Sequence, residues 1–388
     1  MAWEMVRKIG KSAGLNVGLG ECIERRQSVE IGYAWRFMSE CRIAFYGASA
    51  PDGPSVPRGF AESSSPFPLP GTLGSYPAPS PTDLPSGVLL EEVAGSITQV
   101  LKDRSRGRIK LLAADLQAGA ASWCLSNSRG ANVDWGGTIF SALLNLETPA
   151  GRLSLPLAAR DIHRFRVEHV CACLEPYFQL PLPERAVSSG RRPAAWSALT
   201  AAFFLARLGE RLKNGFACPR LPEGFLLCDD PLHPEGLAWV PVDGEGRKTS
   251  CLSMAGARIA DGAAAMDLGL PPTGHALRIS VFDPPTAGYH NLFLTGPPGA
   301  LPGASPILVL TAPLRMDWLE GDRFALHAQG FTWLRGAPSA FHPCICVRST
   351  VQDVISSLEA TLPPLRFFPF GGSTGSPGLL FKGINIFT

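Results

Sequence analysis

Two short stretches spell the same set of chemistry-bearing residues. "HVCAC" carries His169, Cys171 and Cys173, and "HPCIC" carries His342, Cys344 and Cys346. Imidazole nitrogen and thiolate sulfur are the usual ligands of zinc. On a β-strand alternate side chains share a face, so each trio would present its donors together. That is a half-site for a soft-ligand metal. Against it, zinc sites mostly space their cysteines as Cys-x-x-Cys, and thiols are commonly buried on strands without metal. No metal is assigned to either trio. "SGRRP" (with Arg191 and Arg192) is a small basic spot read as a solvated linker. No family signature joins the seven histidines to a Ser, Cys or Asp in a catalytic set.

The elements that must position such residues follow from composition. Across 388 residues there are 41 Gly and 36 Pro, and only 18% are charged. Pro breaks helices and Gly weakens them, so short strands and many turns are expected. A net charge of +2 offers no strong field for nucleic acid or an anionic membrane. No apolar run is long enough for a signal peptide or a membrane span, and the ten cysteines are read as reduced thiols.

Residues 1–24 are basic, weakly patterned and read as an N-terminal extension. Strand-like runs lie around Glu30 to Phe37 and Cys41 to Tyr46. A Pro/Ser/Gly-rich insertion fills 50–87. "GGTIFSALLNLET" and "GRLSLPLAA" read as strands. The apolar positions Trp196, Leu199, Phe203, Leu205 and Leu208 predict a helix over 194–213, stopped at Gly215. A β-rich region follows from Phe216, with a short helix capped by Thr350. In "LEGDRFALHAQ" a Gly-Asp-Arg turn leads into a strand. There Phe324, Leu326 and Ala328 face a core, opposite Ala325, His327 and Gln329.

The segments Asn132 to Val170 and Ser280 to Phe331 share an order of features. Each has an Asp near glycine, a strand, a turn, a second strand, then an acidic/basic turn. A tandem duplication of one β-domain is the economical explanation. "VFDPPTAGYHN" (Val281 to Asn291), "EGDRFALHA" (Glu320 to Ala328) and the tail "FGGSTG" (Phe370 to Gly375) resemble motifs of the dUTPase family. "NVDWGGTI" and "ARDIHRFRVEHV" look like a second, weaker pair. Length, duplication and eroded motifs resemble the herpesvirus dUTPase-related proteins, which keep a doubled fold and lose the catalytic motifs.

This resemblance implies a mainly β chain of two tandem dUTPase-like β-barrel (jelly-roll) domains. The first would span 25–185 and the second 216–388, with a linker and bridging helix over 186–215. It implies that Asp134 or Asp283 would match the water-activating Asp. The other family motifs find no match, so no catalytic, cofactor-binding or metal-binding residue is assigned. The expected function is a non-catalytic viral accessory protein that binds host or viral proteins. It would be a monomer in the host cytoplasm or nucleus, or in the virion tegument. The alternative is a divergent dUTP pyrophosphatase using Mg²⁺.

Overall fold

The computed structural model describes residues 2–18, 21–39, 42–51, 61–62, 87–254 and 273–387, save 279, 281, 284 and 304. Most of the Pro/Ser-rich insertion expected at 50–87 lies outside the described residues. The fold is mainly β. The first sheet has seven strands: β1 (Ala2–Gly18), β2 (Glu21–Ser39), β3 (Arg42–Ala48), β4 (Ala61–Glu62), β5 (Lys110–Asn127), β6 (Asn132–Thr148) and β7 (Gly151–Ala159). Their order is β4-β3-β2-β1-β5-β6-β7. Helices α1 (Gly87–Ser105) and α2 (Val167–Phe178) pack on one face, over a core that includes Leu15, Leu116, Phe140 and Leu144.

The expected N-terminal extension is strand β1, at the centre of that sheet. Its pattern is hard to read because the buried face changes along its length. Glu4 and Val6 are buried at one end, Ala13, Leu15 and Val17 at the other. Even positions give way to odd ones because the long sheet packs against the helices on one face and, further along, against the second sheet's loops on the other.

The second sheet is built from β8 (Gly190–Trp196), β9 (Leu226–Asp229), β10 (Leu252–Ser253), β13 (Leu292–Thr295), β14 (Ile307–Trp318), β15 (Arg323–Leu334), β16 (Ala337–Thr350), β17 (Leu358–Phe368) and β18 (Thr374–Phe387). A small pair, β11 (Ala276–Leu277) and β12 (Thr286–Ala287), stands apart. Pairing of β18 with β8 closes β18-β16-β15-β14-β8 into a barrel. Helix α3 (Ala198–Lys213) packs onto this barrel, and Phe204 meets Phe324 with ring centroids 5.2 Å apart. Ser197 caps α3, and the Gly215 φ of +88° ends it. Gly209 lets α3 approach closely, since a Cβ there would lie 2.7 Å from the Leu292 side chain. Thr350 caps the short helix α4 (Val351–Ser356), as expected.

Duplication is overturned by topology. In the place of the first expected copy stand β6, β7 and α2; in the second, β12 to β15 of different pairing. Residues 186–215, expected as linker and bridging helix, supply β8 and α3 to the second body itself. "FGGSTG" is no free closing tail. Gly371 and Gly372, with φ of +59° and +104°, turn the chain into β18, the barrel's closing strand. The Gly-Asp-Arg turn is structural: Gly321 has φ +66°, and Phe324, Leu326 and Ala328 are wholly buried in the barrel core. Gln329 points the other way and accepts from the Tyr177 hydroxyl on α2 at 2.8 Å.

The two bodies are also joined by buried charge. Arg36 Nη2 donates to Glu4 at 2.9 Å and Arg36 Nη1 to Glu245 at 3.2 Å. Arg278 lies 3.6 Å from the other Glu4 oxygen. Burial depresses the Arg278 guanidinium to about 10, although Glu4 opposes the shift. Arg36 is also penalised by burial, yet Glu4 and Glu245 outweigh that and hold it above its ordinary value.

In urea denaturation, Phe324→Ala is expected to cost roughly 3–5 kcal/mol. Arg36→Ala, which removes the nearest cationic partner of two buried carboxylates, should cost a comparable 3–5 kcal/mol or so. The exposed turn change Arg323→Ala should stay below about 1 kcal/mol. A small loss at Arg36 would show that the joint does not depend on the charge network.

Candidate metal centre

The sequence-nominated trios come apart. His169, Cys171 and Cys173 lie on α2, not on a strand, so Cys171 turns away while His169 and Cys173 line one cleft. Burial pushes the Cys173 thiol up to about 11, so it is protonated and a poor ligand. On β16 the register slips between Ala328/Ile345 and Gly330/His342, placing one extra residue opposite Gln329. This bulge, next to Pro343, breaks the alternation that was to align His342 with Cys344 and Cys346. His342 is buried, with Nδ1 donating to the Arg185 carbonyl at 2.6 Å and Nε2 against the Thr332 hydroxyl at 2.8 Å. Cys344 and Cys346 instead flank His327 of β15, each 3.8 Å from a different ring nitrogen. With the ring between them, these thiols do not converge on one ion.

The remaining nominated residues are also dispersed. Asp134 is exposed on β6, across from Cys124, and Asp283 is exposed in a turn. Arg192 is held by Ser188.

A different set converges. Asp229 ends β9, His275 directly precedes β11 and His290 lies two residues before β13. All three are buried, and their ligand atoms lie within 4.8 Å of one another. The Asp229 carboxylate is fixed by backbone: it accepts from Asn291 N–H at 2.6 Å and His290 N–H at 3.0 Å. His275 Nδ1 lies 2.8 Å from the Thr273 carbonyl. A carbonyl only accepts, so Nδ1 carries the proton, and Nε2 of a neutral ring presents a lone pair. That Nε2 faces Asp229 Oδ2 at 3.2 Å without hydrogen-bond alignment. His290 Nδ1 lies 3.8 Å from the same oxygen and also has no hydrogen-bond partner. A buried imidazole lone pair on His275 facing a carboxylate is repulsive unless a cation, either an added proton or a metal, lies between them.

The donor set fits zinc. Tetrahedral zinc with bonds near 2.0–2.1 Å separates its ligands by about 3.3 Å. Burial pushes the Asp229 carboxyl up, but the two imidazoles outweigh burial and bring it down to about 2. Asp243 secures the neighbouring turn. Its Oδ1 accepts from Glu245 and Arg247 N–H at 3.0 and 2.8 Å, and its Oδ2 from Ala276 N–H, next to His275, at 3.2 Å. Asn291 and Ser373 brace the loop above: Ser373 Oγ donates to Asn291 Oδ1 at 2.7 Å and accepts from Leu237 N–H at 3.2 Å.

Residues 212–388, a region holding all three donors, match the family described as the PmbA/TldA metallopeptidase C-terminal domain. The fold resembles that of TldE from Thermococcus kodakarensis, with TM-score 0.82, 16% identity, and 100% of this chain covering 97% of that one. It also resembles a proposed modulator of a DNA gyrase from Thermotoga maritima MSB8 (TM-score 0.71, 14% identity, 100% and 96% covered). A proposed modulator of DNA gyrase from Bacteroides thetaiotaomicron VPI-5482 is likewise similar (TM-score 0.71, 16% identity, 100% and 94% covered). No curated protein matches the chain. At these identities the structural likeness establishes the fold.

These matches overturn the dUTPase resemblance and what it implied. The barrel is not a dUTPase jelly roll, and the family that matches residues 212–388 is described as a metallopeptidase domain. The expected herpesvirus origin, accessory role, absence of enzymatic function and host or tegument location lose their basis with it. Asp229, His275 and His290 escaped sequence reading because no short spacing links them; the pairing of β9 with β13 brings Asp229 to His290, and the Asp243 turn that holds Ala276 brings His275 to both.

A pH dependence follows. A carboxyl lowered to about 2 on folding contributes stability above its unfolded value near 4 and loses it as pH falls towards 2. For the metal-free chain, thermal unfolding should show a loss on the order of 2 kcal/mol over that window. Asp229→Asn should remove that part of the profile; an unchanged profile would dissociate Asp229 from the acid transition.

Proposed function

We propose that the chain is a PmbA/TldA-type metallopeptidase protein whose Asp229, His275 and His290 hold a divalent metal, zinc by donor type. One observation carries this reading. The three-donor cluster with two orphaned imidazole nitrogens lies inside the segment that matches a metallopeptidase domain. In such a protein the bound metal supplies Lewis-acid polarisation of a peptide carbonyl and a more acidic water. The chain's own part is orientation. Thr273 fixes the His275 tautomer, so that Nε2 points at the centre. The N–H groups of residues 290 and 291 hold the Asp229 carboxylate in place. The helical His-Glu-x-x-His motif is not used, because none of the seven histidines is followed by Glu.

Burial of all three donors favours a second role for the same ion. None of them lines the clefts beside the centre, whereas a catalytic zinc keeps an open position. In that role the metal fastens β9, β11 and β13 and does not meet substrate.

Metal analysis of the purified chain should find about one zinc per chain. His275→Gln and Asp229→Asn should abolish retention, and a chelator should lower the melting temperature. Chelator-sensitive cleavage of an unstructured peptide supports the catalytic role; metal retention without cleavage supports the fastening role. A chain that neither retains zinc nor gains thermal stability from it would sink both.

A further inference from the structure

A cleft of about 320 Å³ lies between the β7–α2 connection and β17, bounded by the Pro234–Leu237 loop. Its charge is unbalanced. Arg160, Arg164, Arg366 and His169 line it, against a single carboxylate, Glu235. Two of the guanidinium groups are held by neutral acceptors. Arg160 Nη2 donates to the His233 carbonyl at 2.7 Å and the Gly236 carbonyl at 3.3 Å. Arg164 Nη1 donates to the Pro234 carbonyl at 3.3 Å, with Asp161 3.5 Å away outside the cleft lining. Arg366 has no carboxylate within ion-pair distance among the described residues; its neighbour is the uncharged Cys173 thiol. The positive field acts on the groups themselves. Burial lowers Arg160, and Arg164 adds to it; burial lowers His169, and Arg366 adds to it.

From this we propose that the cleft is an anion subsite that takes the terminal carboxylate of a peptide, with Arg366 as the principal contact. The choice of a terminal carboxylate rests on the peptide reading above; the anion site itself does not. Arg366 offers a planar fork that matches one carboxylate in bidentate fashion, while Arg160 and Arg164 are tied to the loop and supply field. Phe165, Phe367 and Leu365 form apolar walls suited to the side chain beside that carboxylate. Glu235 at the lining opposes a dianion, which favours a carboxylate over a phosphate.

The test compares N-acetylated tripeptides ending in leucine, as free acid and as amide, by titration calorimetry on the full chain. The acid should bind at least about tenfold more tightly, the worth of a charge-assisted hydrogen-bonded pair. Its affinity should fall as ionic strength rises. Arg366→Gln should erase the preference for acid over amide with an unchanged melting temperature, and Arg366→Lys should restore part of it. Equal binding of acid and amide would overturn the proposal, and so would inorganic phosphate binding as tightly as the acid. Zinc content is measured on the same samples. A chain without zinc that still prefers the acid retains the subsite and loses the metal reading; a zinc-bearing chain without the preference does the reverse.

Discussion

Four buried charged residues set the geometry on which the rest depends. Glu4 and Arg36 come from adjacent strands of the first sheet; Glu245 and Arg278 come from the loops of the second body. Withdrawing such groups from water costs several kcal/mol each, and their mutual attraction offsets this only in good geometry. The network therefore tolerates one relative placement of the two bodies. It also reaches the candidate metal centre. Glu245 lies in the turn that Asp243 organises, and Asp243 in turn holds Ala276, beside His275. Arg278 donates to the Gly244 carbonyl and closes the same turn. Displacing the joint would move His275 relative to Asp229, which is anchored separately on β9.

Both clefts follow from this arrangement. The segment Leu237–Val240 contributes to a groove of about 340 Å³ over the first sheet, where Lys8 stands over Trp123, while Leu237 also borders the arginine-lined cleft. This segment is not free to move independently of the centre. Asn291, whose backbone N–H holds Asp229, takes the Ala238 N–H on its side-chain oxygen and donates to the Ala238 carbonyl. One asparagine thus couples the candidate metal donors to a wall of the groove.

The legible parts of the sequence were those in which local and tertiary demands agree. Alternation at Phe324, Leu326 and Ala328 matched a strand buried on one face, and Ser197, Gly215 and Thr350 carry their signals locally. Where tertiary packing reverses a pattern, reading failed. β1 buries Val6 on one face and Leu15 on the other, so no single period describes it. One extra residue in β16 turned His342 out of register with Cys344 and Cys346. Two of the motifs behind the dUTPase resemblance were a Gly-Asp-Arg turn and a Gly-rich Ser-Thr-Gly run. Both are turn chemistry that any β-fold can use, so they carried information about backbone and none about ancestry.

Charge balance is the remaining reason to place a cation at Asp229. In the interdomain network Glu4 and Glu245 are faced by the guanidinium groups of Arg36, Arg278 and Arg247, so neither of these carboxylates is left unmatched. Asp243 and Asp229 lie beside it, both buried. Asp243 is surrounded by three backbone N–H groups, which solvate a charge without cancelling it. Asp229 has backbone N–H groups on one side and, on the other, two imidazole nitrogens lacking hydrogen-bond partners. A divalent ion would compensate the buried carboxylate and engage the two imidazole nitrogens that lack hydrogen-bond partners. The same groups that look strained as a bare cluster would serve as three donors to one metal.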